Sequence, residues 1–405
     1  AWKRKNENNN FCANQSTKGI DMNRNFAWMW NQGSGSSGSA CDQVFRGPSA
    51  QSEYENDAID THLKTLFIDA RGANLADAAP TDTTGVFLDI HSYSELILWP
   101  YGFDSPGVIP LAPNHNQLRT LGRKFAWYNS YYPQASNQLY GADGASDDNA
   151  YGQLGVASYT FELGTEFFQS CNIFENTILP DNLKALVYAA KVADTPYITA
   201  SGPDIEAMML SANDVAAGMP ITVTGVATDT HFNNNNGSEP TQNITSVAMF
   251  VDELPWDNTS VPMMMTATDG DFNTNSEAFT GQINTTGLSA GQHVIYIQTT
   301  DTSGITGVPY AKFFNIVDPN DLGTVSGIIK DAMTNLPIDV ADISLGSQQL
   351  FSNAQGQFDF SITAGVYSLS ASKQGYATAS INNISVTALQ NTSQDILLQP
   401  VCSLL

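Results

Sequence analysis

The stretch at residues 85–102 constrains the fold of this chain more than any other. It contains two short apolar runs rich in strand-forming residues, at 86–90 and 96–99, and turn residues follow the second run. His91 directly follows the first run. Because ligands collect outside the carboxyl ends of strands in open α/β sheets, a histidine at this place is suited to chemistry. A core histidine with satisfied hydrogen bonds is the alternative that the stretch alone leaves open.

The first 198 residues alternate strands with helices, which predicts an α/β domain. A strand at 157–163 places Glu162 at its carboxyl end. The segment at 138–156 is rich in Gly, Asp, Asn and Tyr, which predicts a loop of the kind that often carries function. His115 lies near the start of a predicted helix and is expected to be exposed. The predicted helices lie at residues 50–70, 114–130 and 183–193.

The pattern changes near residue 200 to short alternating runs separated by turns, with no convincing long helix. Residues 199–318 predict an all-β sandwich of immunoglobulin-like size. Residues 319–400 predict a second, smaller β-sandwich, which contains no histidine. The sequence therefore predicts three domains: 1–198, 199–318 and 319–400.

Charge and hydropathy exclude several classes of partner. Lys and Arg number 16 against 40 Asp and Glu, so the net charge of −24 disfavours nucleic acid and anionic membranes. No run of 18 apolar residues occurs, so no membrane span is predicted. Only 14% of residues are charged, and this polar but weakly charged composition is typical of secreted β-rich proteins.

The four cysteines form no Cys-x-x-Cys pair that would indicate a zinc or redox site. Cys12 and Cys41 lie in polar surroundings rich in Gly, Ser and Asn, which suit a disulfide between loops. Cys171 and Cys402 pair with each other, pair with a cysteine outside this chain, or stay free. The cysteine usage favours an oxidising compartment, and we expect a secreted, extracellular protein.

Two polar clusters open the chain. The first, at residues 2–6, is basic, and a solvated face is its ordinary explanation. In the second, at residues 19–26, Arg24 stands between two asparagines and ahead of aromatic residues. An arginine in such surroundings can form a planar fork that binds an anion.

Taken together, these pieces resemble the zinc carboxypeptidases of the pancreatic A/B type, the M14 family. The resemblance covers residues 1–197, and it implies an α/β peptidase domain followed by two all-β sandwich domains. Residues 199–318 resemble the Ig-like domains of bacterial secreted peptidases, and residues 323–399 resemble the transthyretin-like carboxypeptidase regulatory domain. The matching pieces, in family order, are 2–6, the Cys12/Cys41 pair, 19–26, 89–94 with 99–102, Tyr140 in its Gly-rich loop, and 160–163.

The resemblance implies roles in catalysis. His91 would be one protein ligand of a catalytic zinc ion, and Glu162 would be the general base and acid that activates the zinc-bound water. Arg4 would stabilise the oxyanion of the tetrahedral intermediate. Lys3 is the alternative for this last role, depending on how the register is set by Trp2.

The resemblance also implies roles in substrate binding. Asn23 and Arg24 would bind the terminal carboxylate of a peptide or protein, which an exopeptidase must recognise. Tyr140 would close over the substrate. Asp147, or its neighbour Asp148, would lie at the base of the specificity pocket, where an acidic residue favours substrates that end in Lys or Arg.

One departure from the family pattern matters as much as the match. The family takes two further zinc ligands from a His-x-x-Glu motif, and this sequence contains none. We therefore expect the chain to begin inside the peptidase domain, with about a third of that domain upstream. The predicted function is that of a monomeric, secreted zinc metallocarboxypeptidase. A catalytically inactive binding or adhesion module, and a family member that acts on cell-wall peptides, are the alternatives.

Overall fold

A computed structural model of the chain describes residues 3–14, 16–346 and 348–401. These residues form two compact units. The first unit comprises the chain up to Pro203 together with Thr230–Thr241 and Ile305–Val308, and the second comprises the remainder. None of the described helices combines the length and the apolar character that a membrane crossing requires. The three predicted domain boundaries stay a prediction.

A four-stranded mixed sheet forms the centre of the first unit. Its strands stand in the order β1–β4–β2–β3, so β1 is an edge strand. The pairs β1/β4 and β2/β3 are parallel, whereas β2 and β4 are antiparallel. The strands are β1 (Val86–His91), β2 (Leu96–Trp99), β3 (Tyr132–Ala135) and β4 (Ala157–Glu162).

The register of this sheet positions the candidate site. His91, the last residue of β1, lies beside Glu162, the last residue of β4. Both side chains therefore emerge at the carboxyl ends of two neighbouring parallel strands, where ligands bind in α/β sheets. The two strands and the place of His91 agree with the prediction from the sequence.

Helices cover the sheet, and one of them lies where a loop was predicted. The segment 138–156 contains helix α3, which has two aspartates in its first turn and ends at Gly155 with a positive φ of 75°. Acidic residues near the N-terminus and a left-handed glycine at the C-terminus both stabilise a helix. The helices are α1 (Tyr54–Leu66), α2 (His115–Asn129), α3 (Ser146–Leu154), α4 (Cys171–Ile173), α5 (Leu179–Val192) and α6 (Pro196–Thr199), with a π-helical turn at Phe174–Ile178 and a 3-10 turn at Met22–Arg24.

The apolar core of the first unit lies between the sheet and helices α2 and α5. Phe125 of α2 packs edge-on against Tyr159 of β4, and Phe161 lies next to it. These three side chains are fully buried. The hydroxyl of Tyr159 donates a hydrogen bond to the carbonyl of Leu118, so its polar end is satisfied inside the core.

The second unit is built from β-strands, which confirms the predicted all-β character of the C-terminal part. One pair of sheets has the strand orders β10–β11–β7–β5 and β6–β13–β12–β8–β9 and encloses its own apolar core. A second pair has the orders β17–β14–β22–β19 and β16–β15–β18–β20, with β21 pairing β14, and encloses another core. The strands are β5 (Asp204–Leu210), β6 (Asp214–Ala216), β7 (Ile221–Thr228), β8 (Ile244–Val251), β9 (Met263–Met264), β10 (Thr266–Ala267), β11 (Ser276–Ile283), β12 (Gly291–Asp301), β13 (Tyr310–Val317), β14 (Leu322–Asp331), β15 (Asp342–Leu345), β16 (Gln348–Phe351), β17 (Gln357–Thr363), β18 (Gly365–Ser372), β19 (Tyr376–Ala377), β20 (Ala379–Val386), β21 (Asn391–Ser393) and β22 (Ile396–Pro400).

Candidate active site

The side chains singled out from the sequence meet at one cavity of about 260 Å³ in the first unit. The cavity opens at the carboxyl ends of β1 and β4, with the segments 4–24 and 136–147 forming the other walls. The predicted site residues that line it are Arg4, Asn23, Arg24, His91, Tyr140, Asp147 and Glu162. Residues far apart in the chain are therefore brought together by the fold.

One ring nitrogen of His91 contacts Asp89, and the other lies on the side of Glu162. Its Nε2 lies 2.9 Å from Asp89 Oδ2, and its Nδ1 lies 3.9 Å from Glu162 Oε1. Asp89 and His91 are two residues apart on β1, so both side chains point to the same face of the sheet. The hydroxyl of Ser146 donates a second hydrogen bond to Asp89, which fixes the carboxylate behind the imidazole.

The electrostatics of this group follow from burial and from mutual charge. Burial alone would lower the pKa of His91, but the hydrogen bond and charge of Asp89, with the charge of Glu162, raise it above its ordinary value. Burial would raise the pKa of Asp89, and its bonds to His91 and Ser146 reverse that effect. Burial raises the pKa of Glu162, against the opposing charges of His91 and Arg4. A carboxylate with a raised pKa is suited to accept and return a proton.

Arg4, rather than Lys3, faces this cavity. Its Nε donates to Asp21 Oδ2 at 2.8 Å, and its positive charge acts on Glu162. Lys3 instead forms an ion pair with Glu7. Of the two cations that the sequence left open, Arg4 is the one at the cavity wall, and the role of either in catalysis stays a prediction. Trp2, which would set the register of this cluster, lies outside the described residues.

Asn23 and Arg24 present donors from a short 3-10 turn. The Asn23 side-chain oxygen accepts the backbone N–H of Ser146 at 2.8 Å, so its amide nitrogen is left as a donor. Arg24 is only 3% exposed, and its Nε and Nη1 donate to the carbonyls of Gly35 and Asn23. These bonds hold the guanidinium plane and leave Nη2 for a ligand. Tyr140 lies over the guanidinium, with its ring centroid 6.0 Å away, and is half exposed.

The two neighbouring aspartates of α3 face different surroundings. Asp147 lines the cavity, and its carboxylate accepts hydrogen bonds from the Ser136 hydroxyl at 2.8 Å and the Asp148 N–H at 2.9 Å. Asp148 turns away and accepts the Gly102 N–H with both oxygens at 2.9 Å. Burial raises the pKa of Asp147, and burial together with the charge of Asp147 raises that of Asp148. Of the two, Asp147 is therefore the carboxylate that a ligand can reach.

Three residues that support the site were not predicted from the sequence. Asp89 is the hydrogen-bond partner of His91, and strand periodicity placed it on the same face, which was the available signal. Asp21 joins the Arg4 side chain to the N–H of Asn23 and so links two predicted site residues. Ser136 orients Asp147 from a segment with no sequence signal of its own.

A zinc ion fits the donor set at one position. The arrangement of Asp89 and His91, with a carboxylate on one ring nitrogen and the other directed to the cavity, is how proteins orient a metal-ligating histidine. Within the described ranges, no group of three His, Cys, Asp or Glu side chains is close enough to hold a metal ion. His91 would therefore be the one ligand that these residues contribute, with Glu162 beside it.

The predicted disulfide is confirmed. Cys12 and Cys41 are bonded, with their Cα atoms 5.2 Å apart, and the bridge ties the Arg4 segment to the loop that follows the Arg24 turn. Cys171 is exposed and is not bonded to another described cysteine. Cys402 lies outside the described residues, so the predicted alternatives for this second pair stay open.

Comparison with known protein families gives a match for two segments of the chain. The zinc carboxypeptidase family matches residues 1–186, and the carboxypeptidase regulatory-like domain matches residues 324–399. The first of these matches covers a little under half of the 405 residues. The predicted resemblance is thereby confirmed for both segments.

Several curated proteins are similar to part of this chain. Carboxypeptidase B of Bos taurus is 33% identical over 159 residues, which cover 37% of this chain and 33% of the relative. Mast cell carboxypeptidase A of Rattus norvegicus is 31% identical over 169 residues (40% of this chain and 35% of the relative). Carboxypeptidase B of Astacus astacus is 32% identical over 171 residues (40% and 50%). The chain thus spans about a third to a half of the length of these relatives.

Among solved structures, thrombin activatable fibrinolysis inhibitor is similar to part of this chain at 25% identity. The similarity covers 43% of this chain and 44% of that one, with a TM-score of 0.36.

Proposed function

We propose that this chain belongs to a secreted zinc metallocarboxypeptidase that removes the C-terminal residue of peptides and proteins. The observation that carries the proposal is the meeting of His91 and Glu162 at 3.9 Å in a cavity that also contains two arginines. The disulfide and the net charge of −24 support an extracellular place of action.

In the proposed reaction, Arg24 and the Asn23 amide hold the terminal carboxylate of the substrate, because a fixed guanidinium and a neutral donor suit a carboxylate. Glu162 takes a proton from the attacking water and returns it to the leaving amine. Arg4 donates to the oxyanion that develops on the scissile carbonyl, which stabilises the transition state more than the ground state. Zinc, held in part by His91, would polarise the carbonyl and lower the pKa of the water to about 7.

The proposal includes a preference for Lys or Arg at the C-terminus of the substrate. Asp147 lines the same cavity as Glu162, and it is 3% exposed. A buried carboxylate is stabilised by an incoming cation and leaves an apolar side chain with an uncompensated charge.

A second candidate function rests on a different observation. The described residues hold no group of three His, Cys, Asp or Glu side chains that could bind a metal ion, and a binding module without catalysis would need only the carboxylate-binding pair Asn23 and Arg24. Such a module would bind peptides through their C-termini and would not remove their C-terminal residues.

The test measures release of C-terminal residues from synthetic peptides, with zinc content determined on the same sample. The Glu162→Gln variant is expected to lose activity by about 100-fold or more, because it removes the proton acceptor. Glu166→Gln is the matched control, since it makes the same substitution at an exposed position outside the cavity. A chelator is expected to abolish release. Tight binding of peptide C-termini without zinc and without release would favour the binding module instead.

A further inference from the structure

A second cavity of the first unit, of about 440 Å³, has no part in the proposed function. Leu98 lines the candidate active site and Trp99 lines this second cavity, so the two cavities lie on opposite faces of β2. Helix α2 forms one wall, and residues 236–238, in a segment that belongs to the first unit, form another. The polar and charged residues around it are His115, Arg119, Arg123, Asn137, Gln138, Asn236 and Ser238.

A row of basic side chains faces this cavity from α2. His115, Arg119 and Arg123 are four residues apart, so they lie on one face of the helix. His115, which was expected to be exposed, is half-buried and accepts the indole N–H of Trp99 at 3.4 Å. Burial and the charge of Arg119 lower its pKa, so the histidine is neutral near pH 7. The positive charge of the wall therefore comes from the two arginines.

One carboxylate faces these two arginines and does not satisfy both. Glu239 accepts two hydrogen bonds from Arg119, at 3.0 and 3.3 Å, and a third from the hydroxyl of Thr120. Its nearer oxygen lies 3.7 Å from Arg123 Nε, beyond hydrogen-bond distance. Arg119 and Arg123 thus share the single carboxylate of Glu239. This wall of the cavity therefore carries an excess of positive charge, although the whole chain has a net charge of −24.

Arg123 is buried and incompletely bonded. It is 3% exposed, and its Nη2 donates to the carbonyl of Asn236 at 2.7 Å. Its Nε and Nη1 are buried and have no hydrogen-bond partner among the described residues. Buried polar groups in native proteins are almost always paired, and a buried guanidinium with open donors is an unusual arrangement that an added acceptor would complete.

We propose that this cavity binds a small oxyanion, such as a phosphate or carboxylate group, between Arg119 and Arg123. The open Nε and Nη1 of Arg123 lie on different edges of its guanidinium, so one of them would donate to an oxygen of the anion while Arg119 adds its charge from the same face of α2. The amide of Gln138 lines the same space, and its Nε2 offers a further donor because its Oε1 already accepts from Asn236 Nδ2 and from the Ala135 N–H. Glu239 competes with the anion for the arginines and sets the affinity.

The test uses the full chain and inorganic phosphate or acetate, each compared with sodium chloride at equal ionic strength. Phosphate is expected to raise the thermal midpoint and to show saturable binding by calorimetry, and Arg123→Met is expected to abolish both effects. Glu239→Gln is expected to bind phosphate about tenfold more tightly, because the competing charge is gone. Lys184→Gln, which removes a positive charge at an exposed place on α5, is expected to bind like the wild type.

A response to phosphate that chloride reproduces, or one that persists unchanged in Arg123→Met, would overturn the proposal. If Arg123→Met does not fold, Glu239→Gln decides alone, because an ion pair with a purely structural role predicts lower stability and no gain in phosphate affinity. A response to acetate as well as phosphate would identify the oxyanion group itself as the ligand, and a response to phosphate alone would identify a tetrahedral dianion. Neither result depends on peptidase activity.

Discussion

Replacing Asp147 with Asn tests the proposed preference for basic substrates. The change removes the charge and keeps the shape, and Ser136 can turn its hydroxyl to accept from the new amide because it already has the Trp99 carbonyl as an acceptor at 3.1 Å. A charge-assisted hydrogen bond contributes about 1.5–3 kcal/mol, so kcat/KM for peptides that end in Lys is expected to fall by about 10- to 150-fold. Cleavage of peptides that end in Phe is expected to stay within about threefold or to improve.

The same substitution is expected to stabilise the fold. Asp147 and Asp148 are adjacent and buried, and their pKa values are raised in the folded state, so their ionisation opposes folding as the pH rises through those values. The thermal midpoint of Asp147→Asn should therefore exceed that of the wild type at pH 7, and the difference should shrink towards pH 4. A loss of activity that accompanies a gain in stability marks a residue kept for function.

Asp148→Asn is the matched control for this experiment. It removes the neighbouring charge from a side chain that faces the Gly102 N–H rather than the cavity. It should therefore leave the ratio of Lys to Phe cleavage unchanged. An equal loss of that ratio in both variants, or an unchanged ratio in Asp147→Asn, would refute the reasoning.

Two further predictions concern stability. Cys12→Ser is expected to lower the free energy of unfolding of the first unit by about 3–4 kcal/mol, since it opens a loop closed across 29 residues, and reduction of the wild type should reproduce the shift in chemical denaturation; an unshifted midpoint would contradict it. In the second unit, the hydrogen bonds of His293 to Asp252 and to the Ser289 carbonyl raise its pKa above 6.5. This contribution to stability is fully present below pH 6.5 and is lost as the pH rises through the folded-state pKa, so thermal scans from pH 5.5 to 9 should show a decline that Asp252→Asn flattens. A decline of equal size in both proteins would argue against this pair.

Sequence patterns predicted the elements of the site better than they predicted their surroundings. The apolar runs that became β1 and β2, and the helix that became α2, carry strong local periodicity, and local periodicity survives in the fold. Helix α3 was missed because its residues have weak helix propensity and it buries aspartates that a sequence pattern assigns to solvent. Strand β3 is four residues long and contains a proline, so no strand pattern identifies it.

The hydrogen-bond partners of the site residues could not be predicted from the sequence, for a different reason. The contacts of Asp21 with Arg4, and of Ser136 with Asp147, join segments separated by 17 and 11 residues and depend on how loops pack. The pairing of β1 with β4 sets the distance from His91 to Glu162, and a strand register across some seventy residues of chain is a tertiary property. Residue identity could therefore be carried over from the family resemblance, while geometry needed the fold.

The segment Thr230–Thr241 has a consequence for how such a protein can change over generations. It follows β7 in the chain and yet is an integral part of the first unit, where Asn233 donates to the carbonyls of Ala126 and Tyr131. A recombination event that joined residues 1–198 to an unrelated partner would leave Arg119 and Arg123 without the carboxylate of Glu239. Selection should therefore tend to keep the peptidase segment and this stretch of the following sequence in a single heritable block, rather than as freely exchangeable pieces.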